Sequence, residues 1–553
     1  MSKALPKSQL LSKVTLEAWL IIAIAFGVLW RIVNVSQRQF WYDEVLSLLL
    51  STGQKIAYKP PPNVPIILAD YTKLLSLPAI AGVGDFLKTI ADLLRGIVGV
   101  EPHPPLFYLS QHIWLYLLGN SEGATRSLGM LLSIAAIASA YGLGRSLLGH
   151  RGGLIFAALL AVNPFYLFHS LNLRMYAPLP LWAILSTWAL LEISRQPRNR
   201  LSGFGWHLIL IGSLVAGLMT FYLFLYWFVT LSVLALFLDR QRWWKYYLNL
   251  AIAGLITLPW FWWGTRQQLR NADLDRFDVL PGFFATLLKH SQGIVDTLGI
   301  QLLLGDWVTS LPPGSATLAG CLILGLLLAV AGHLWRSKQD RNRRSLTVAL
   351  ILGLLTLLLA LSVDILTGKF TLGFGLGRSI IFILPGNLLL LTVWLEQNSE
   401  KWKPGFLAVI LIGYIGISGA DFAFRDRTLF TNLNERLIAD SNQSTLIILN
   451  SRAWGHVLRL AYYIPPQLPV MLLAQPASDL SPALTQVLAD SSTIYQRIFW
   501  LDSANPIWSP TTSISEKQQL QSLLQSNYQL QHSQFLSGTM RMDGFELYEY
   551  RRR

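Results

Sequence analysis

The sequence predicts a mainly α, polytopic membrane helical bundle followed by a small α/β domain. Three observations carry this prediction. The 553-residue chain is 53% hydrophobic and only 13% charged, against about 25% charged residues in ordinary soluble domains. Apolar runs of spanning length recur along the first 420 residues. The last 130 or so residues change character, alternating short β-type runs with helix-type runs.

The first apolar run, 16–35, is long enough to span and leads straight into an acidic stretch. It therefore reads as a retained helix rather than a cleaved signal. Further runs follow at 124–148, 152–170, 175–194, 246–263, 315–335, 345–363, 378–395 and 404–420, and the long run 206–238 divides into two short spans. Short basic loops set the orientation. Lys3, Lys7 and Lys13 precede the first helix; Arg145 and Arg151 flank "GHRGG". Arg195, Arg198 and Arg200, then Arg240, Arg242 and Lys245, then Arg336, Lys338, Arg341, Arg343 and Arg344 form later clusters. All fall on one side if the apolar part of "HPPLFYLSQHIWLYLLG", Pro105 to Leu118, lies in the outer leaflet without crossing. The count is then 11 spans, with 13 as the nearest alternative, the N-terminus cytoplasmic and the C-terminus extracytoplasmic.

The long connections 36–123, 264–314 and 364–377 and the tail from 421 consequently face the outer side. The first holds the rigid "KPPPNVP" and an expected amphipathic helix from Pro65 to Val98. In the tail, "TLIILN", "PVMLLAQ" and "TIYQRIFWLDS" read as strands, separated by helical "WGHVLRLAYYI" and "SPALTQVLAD". The domain division is 1–420 and 421–553. No glycine-rich phosphate loop is present, so no nucleotide chemistry is assigned to the tail.

The formal charge is +14. The tail holds 11 Lys+Arg and 11 Asp+Glu, so the excess belongs to the membrane part and reports topology rather than nucleic-acid binding. The single cysteine, Cys321, precludes an intrachain disulfide.

Asp43 and Glu44, in "QRQFWYDEVLSLLL", stand beside Phe40, Trp41 and Tyr42, which anchor this point at headgroup level. As bland helix-start acids they would complement the dipole. Held beside aromatic surface, a carboxylate is also suited to taking a proton from an incoming hydroxyl or amine. His103, ahead of two prolines, is a turn residue or a partner on the same outer face. Arg126, Arg174 and Arg378 sit at outer helix ends. Each reads either as snorkelling to headgroups or as holding an anion, and three together favour the anion site. In "RQQLRNADLDRFDVL" the mixed charges are a solvated surface, without the glycine turn of a calcium loop. No Cys/His cluster suggests zinc, so no metal ligand is assigned.

The ordered set "WYDEVLS", "HPPLFYL", "EGATRSLGMLLS", "LNLRMYAPLPLW" and "GRSIIFILPG" resembles the bacterial protein-mannosyltransferase and aminoarabinose-transferase type of integral membrane glycosyltransferase, with the GT-C fold. The resemblance spans roughly residues 16–420. It implies a sugar donor on polyprenyl phosphate, transferred with inversion on the outer face of the plasma (inner) membrane to a protein, lipid or glycan acceptor. It maps catalytic roles onto Asp43 and its neighbour Glu44, and substrate binding onto His103, Arg126, Arg174, Tyr176 and Arg378. Asn172 departs from the acid or glutamine common at that position. A divalent cation beside Asp43 is left open, and no other cofactor is implied. The rival class, a transporter or flippase of a lipid-linked saccharide, would place its ionisable residues near the bilayer midplane in repeated halves. A non-catalytic membrane scaffold would leave the outer acids and arginines without a role.

Overall fold

A computed structural model describes residues 15–195, 200–239, 243–271, 277, 282–336, 340–397, 402–425, 429–489, 494–507, 509–538 and 543–553. Lys3, Lys7, Lys13, Arg198, Arg240, Arg242 and Lys338 of the basic clusters, and Asp273, Asp275, Arg276 and Asp278 of the mixed-charge loop, lie outside the described residues.

The chain forms two compact units that interleave along the sequence. The first comprises 1–35, 98–107 and 126–423; the second comprises 36–97, 108–125 and 424–553. Residues 36–97 and 108–125 thus group with the tail rather than with 126–423.

The first unit is a membrane helical bundle. Among the described residues, seven helices are long and apolar enough to cross a membrane, or eight if one bent pair is a single span. This is fewer than the 11 expected, for reasons of length and composition. Leu179–Arg195 has 17 residues and Phe224–Leu238 has 15. Trp243–Trp260 opens on Trp243, Trp244, Lys245, Tyr246, Tyr247 and Asn249, which lower its mean hydropathy. The run 206–238 does divide in two, at residues 221–223.

The bent pair is His150–Val162 and Pro164–Ser170, which meet at 62°. Asn163 caps the second piece, accepting from the Tyr166 N–H at 2.9 Å, with Pro164 in the first turn. The break ends the span early and starts the turn that carries "LNLRMYA". Leu106–Leu118 is a 13-residue helix and is not among the spanning candidates.

In the second unit a six-stranded sheet runs in the order β1-β3-β2-β4-β6-β5. The strands are β1 Ile66–Ile67, β2 Thr445–Leu449, β3 Val470–Ala474, β4 Arg497–Ser503, β5 Tyr528–Leu536 and β6 Phe545–Arg552. β2, β3 and β4 are parallel, and the other pairings are antiparallel. Helices Trp454–Tyr463 and Ala477–Ala489 make the two crossovers. Every residue of β2 and of β4 is buried, as for strands covered on both faces. Leu446, Ile448, Leu473, Leu480, Leu484, Ile498 and Trp500 are part of its core.

The expected helix over 65–98 is replaced by three pieces. Ile66 and Ile67 pair with Leu472 and Met471 at the sheet edge. A short helical turn then runs to Leu75, Ser76 is extended at φ −116°, and a helix occupies Val83–Val100. Pro78 and Gly82 in the gap explain why the helix starts so late.

Candidate functional site

The acids predicted to act in catalysis are in the second unit, on helix Tyr42–Ser51. That segment is fastened to the crossover helix Trp454–Tyr463 by aromatic contacts. The Tyr42 ring lies edge-on to His456 at 5.2 Å, and Phe40 packs on Tyr462 at 4.9 Å. A Cβ at Gly455 would approach Tyr42 Cε2 to 2.6 Å, so only glycine admits the ring there. The Phe40 N–H donates to Tyr463 Oη at 2.6 Å, and that hydroxyl in turn donates to Glu122.

The two acids differ in place. Glu44 is fully buried, and its Oε2 accepts the Trp41 N–H at 3.2 Å, the reach-back of a capping box. Asp43, one residue earlier, is half-buried in the first turn. Glu44 thus completes its own helix start, while the Asp43 side chain stays partly exposed.

The predicted binding residues are all in the first unit. Arg174 and Tyr176 occupy the irregular turn after Pro164–Ser170, and Arg378 opens the short helix Arg378–Ile383. The guanidinium carbons of Arg174 and Arg378 lie 5.8 and 5.5 Å from the same Tyr176 ring centroid. His169 meets that ring edge-on at 5.4 Å. Phe221 joins the fourth residue to the group, packing on Tyr176 at 6.2 Å and stacking on His103 at 5.1 Å. The structure therefore brings together His103, Arg174, Tyr176 and Arg378, which span 276 residues of sequence.

Arg126 is placed next to the same turn by its helix. Gly129, one turn further along Glu122–Leu148, faces it: a Cβ there would lie 3.6 Å from Asn172 O and 3.5 Å from the Ala177 Cβ. Arg126 itself is 1% exposed and donates to Val35 O at 3.5 Å.

Two buried polar atoms beside the arginines have no protein partner, Asn172 Nδ2 and His169 Nδ1. Their residues are 2% and 3% exposed. A buried donor in this position is available to a ligand or an ordered water. Two guanidiniums on one ring, with an unpaired amide donor alongside, suit a multiply acceptor-bearing anion such as phosphate.

The His103 backbone is fixed from a further helix. Gln268 Nε2 donates to Glu101 O at 2.6 Å and to His103 O at 2.9 Å. Its Oε1 accepts from Tyr222, whose hydroxyl also accepts from Trp260 Nε1 at 3.0 Å. The Glu101 carboxylate contacts the His103 ring. Among the described residues, no group of three or more His, Cys, Asp or Glu is arranged to hold a metal ion.

Residues 102–263 match the dolichyl-phosphate-mannose-protein mannosyltransferase family. That segment contains His103, Arg126, Arg174 and Tyr176. The chain is also similar to ArnT from Cupriavidus metallidurans bound to undecaprenyl phosphate, at 11% identity over 96% of this chain and 98% of that one, with a TM-score of 0.41. The apo oligosaccharyltransferase of Archaeoglobus fulgidus aligns at 10% identity over 87% of this chain and 69% of that chain, with a TM-score of 0.47. The same organism's AglB, in complex with an inhibitory peptide and a dolichol-phosphate, gives 10% identity over the same shares and a TM-score of 0.42. Curated protein sequences give no match.

Sequence reasoning missed Glu101, His169, Phe221 and Gln268. Glu101 lies two residues before "HPPLFYL" and His169 two residues before "LNLRMYAPLPLW", and both were legible as polar residues in apolar surroundings. Phe221 and Gln268 carry no local signal.

Proposed function

We propose that the protein is an integral membrane glycosyltransferase that moves a sugar from a polyprenyl-phosphate carrier to an acceptor on the outer face of the membrane. The observation that carries this reading is the convergence of Arg174 and Arg378 on Tyr176, with His103 joined through Phe221. The family matched by residues 102–263 supplies the donor class.

In this reading the arginines hold the phosphate linked to C1 of the sugar. The acceptor's lone pair attacks C1 as the C1–O bond breaks, and the bonding electrons leave with the phosphate oxygen. Arg174 and Arg378 meet the charge that develops there, which is stabilisation where the transition state needs it. Asp43 takes the acceptor's proton. Because the leaving group is already a stabilised phosphate anion, no strong general acid is required. A single displacement inverts the anomeric centre. The enzyme then lies in the plasma (inner) membrane, with a cytoplasmic N-terminus and an extracytoplasmic C-terminus.

The test is turnover by the purified full chain supplied with a panel of radiolabelled polyprenyl-phosphate sugars. Release of polyprenyl phosphate with label moved to an acceptor, in the inverted configuration, is the expected result. Movement of labelled lipid across vesicles without cleavage of any donor would overturn the reading in favour of transport.

A further inference from the structure

Arg378 is presented by a loop that would not hold its shape unaided. Residues 368–377 connect the C-terminus of helix Thr356–Thr367 to the short helix that Arg378 opens. Gly375, Leu376 and Gly377 are successive left-handed residues, with φ of 64°, 59° and 78°. Leu376 is the sole non-glycine residue with positive φ among those described. A left-handed leucine is disfavoured and persists only where surrounding contacts over-determine it.

Those contacts centre on one carboxylate. Asp364, 1% exposed near the end of helix Thr356–Thr367, accepts three hydrogen bonds from the loop. They come from the Thr371 N–H at 2.8 Å, the Leu372 N–H at 2.9 Å and the Thr371 hydroxyl at 2.5 Å. The anchored residues then hold the start of the next helix: Ser379 Oγ donates to Thr371 O at 2.8 Å. Gln301 Nε2 donates to Gly377 O at 2.8 Å, directly before Arg378. A chain of short contacts thus runs from Asp364 through Thr371 and Ser379 to Arg378. The motif "GRSIIFILPG" gave no hint of it, because its anchor lies outside that motif.

We infer that Asp364 is a positioning residue for the anion site: it clamps the loop so that the Arg378 guanidinium is carried to the Tyr176 ring rather than left free to swing. This inference rests on the anion-site reading proposed above. A buried acid in a membrane helix is commonly a functional residue, and here its function is to fix the direction of a cation several residues away. The carboxylate form matters, because only an acceptor-only group with several lone pairs can take all three donors at once.

The test is a double-mutant cycle on the full chain in detergent, with undecaprenyl phosphate as the probe. Arg378→Ala should weaken binding by on the order of tenfold or more. Asp364→Asn should weaken it by a comparable factor in the native background and add no further loss in the Arg378→Ala background. Thr371→Val should reproduce part of the loss and Thr371→Ser should restore it, which keeps the cycle usable if Asp364→Asn does not fold. Equal loss from Asp364→Asn in both backgrounds would overturn the positioning role. So would unchanged binding in both Asp364→Asn and Thr371→Val while Arg378→Ala binds weakly. Full binding by Arg378→Ala would instead remove the anion-site reading, and the positioning role with it.

Discussion

Charge in apolar surroundings is handled in different ways in the two units. In the second, Arg459 Nη1 meets Asp543 Oδ1 at 2.7 Å, and both side chains are almost wholly buried. In the first, Arg174 and Arg378 converge on one tyrosine ring. Arg31, also in the first unit, is used in a third way, donating to Gly27 O at 2.8 Å and Ala161 O at 2.5 Å and so tying two helices together. The same contrast divides the adjacent acids: Glu44 closes its own helix start, while Asp43 is half-buried beside it. The lesson is that a charged residue in apolar surroundings serves either the fold or a ligand. What it touches decides which, not its position in the sequence.

Substitutions sharpen that division, starting with the largest effect. Asp43→Asn should lower turnover by on the order of 10²–10⁴ while leaving the thermal unfolding of the full chain near wild type. Near-normal turnover would remove Asp43 from the mechanism. Asp543→Ala should do the reverse of a catalytic substitution. Leaving Arg459 buried without its carboxylate costs about 3–5 kcal/mol, read as a lowered unfolding midpoint, and an unchanged midpoint would show that the pair is replaceable. Glu44→Ala should cost about 1–3 kcal/mol, because the buried Trp41 N–H loses its acceptor. If Glu44→Ala instead abolished turnover in a stably folded chain, the two acids would share the chemistry.

The smallest effect concerns pH. Burial, reinforced by the nearby Arg459, holds the His456 imidazole well below its ordinary range. Its folded-state pKa is therefore depressed, and below an unfolded value of about 6.5 the unfolded chain binds the additional proton. Stability should be flat above that pH and fall as pH drops through it, by at most about 1.4 kcal/mol per pH unit from this group. His456→Gln should flatten the unfolding midpoint between pH 7 and pH 5 relative to wild type. An identical pH slope would show that other groups set it.

Much of the architecture was legible because it depends on local periodicity. Apolar runs near 20 residues marked the bundle, and "TLIILN", "PVMLLAQ" and "QRIFWLDS" marked the parallel strands. The 152–170 run was read as one span, and its break at Asn163–Pro164 is set by the Asn163 cap on the Tyr166 N–H. What escaped notice depends on contacts between distant segments. Ile66 and Ile67 form a strand only because Met471 and Leu472 offer an edge, and two residues carry no period. The packing of Tyr42 against Gly455 groups residues 36–97 with the tail, across more than 400 residues. In the site, Arg174, Tyr176 and Arg378 stood out as charged or polar residues at helix ends. Gln268 and Asp364 did not, because a residue that acts through another's backbone has no signature of its own.

The central claim is that the paired arginines form a phosphate site. It is tested most directly by comparing the affinity of the full chain for undecaprenyl phosphate with its affinity for the uncharged undecaprenol, in wild type and in the Arg174→Ala/Arg378→Ala variant. Wild type should prefer the phosphate by on the order of tenfold or more, and the double variant should bind both lipids alike. A phosphate preference that survives in a folded double variant would contradict the account.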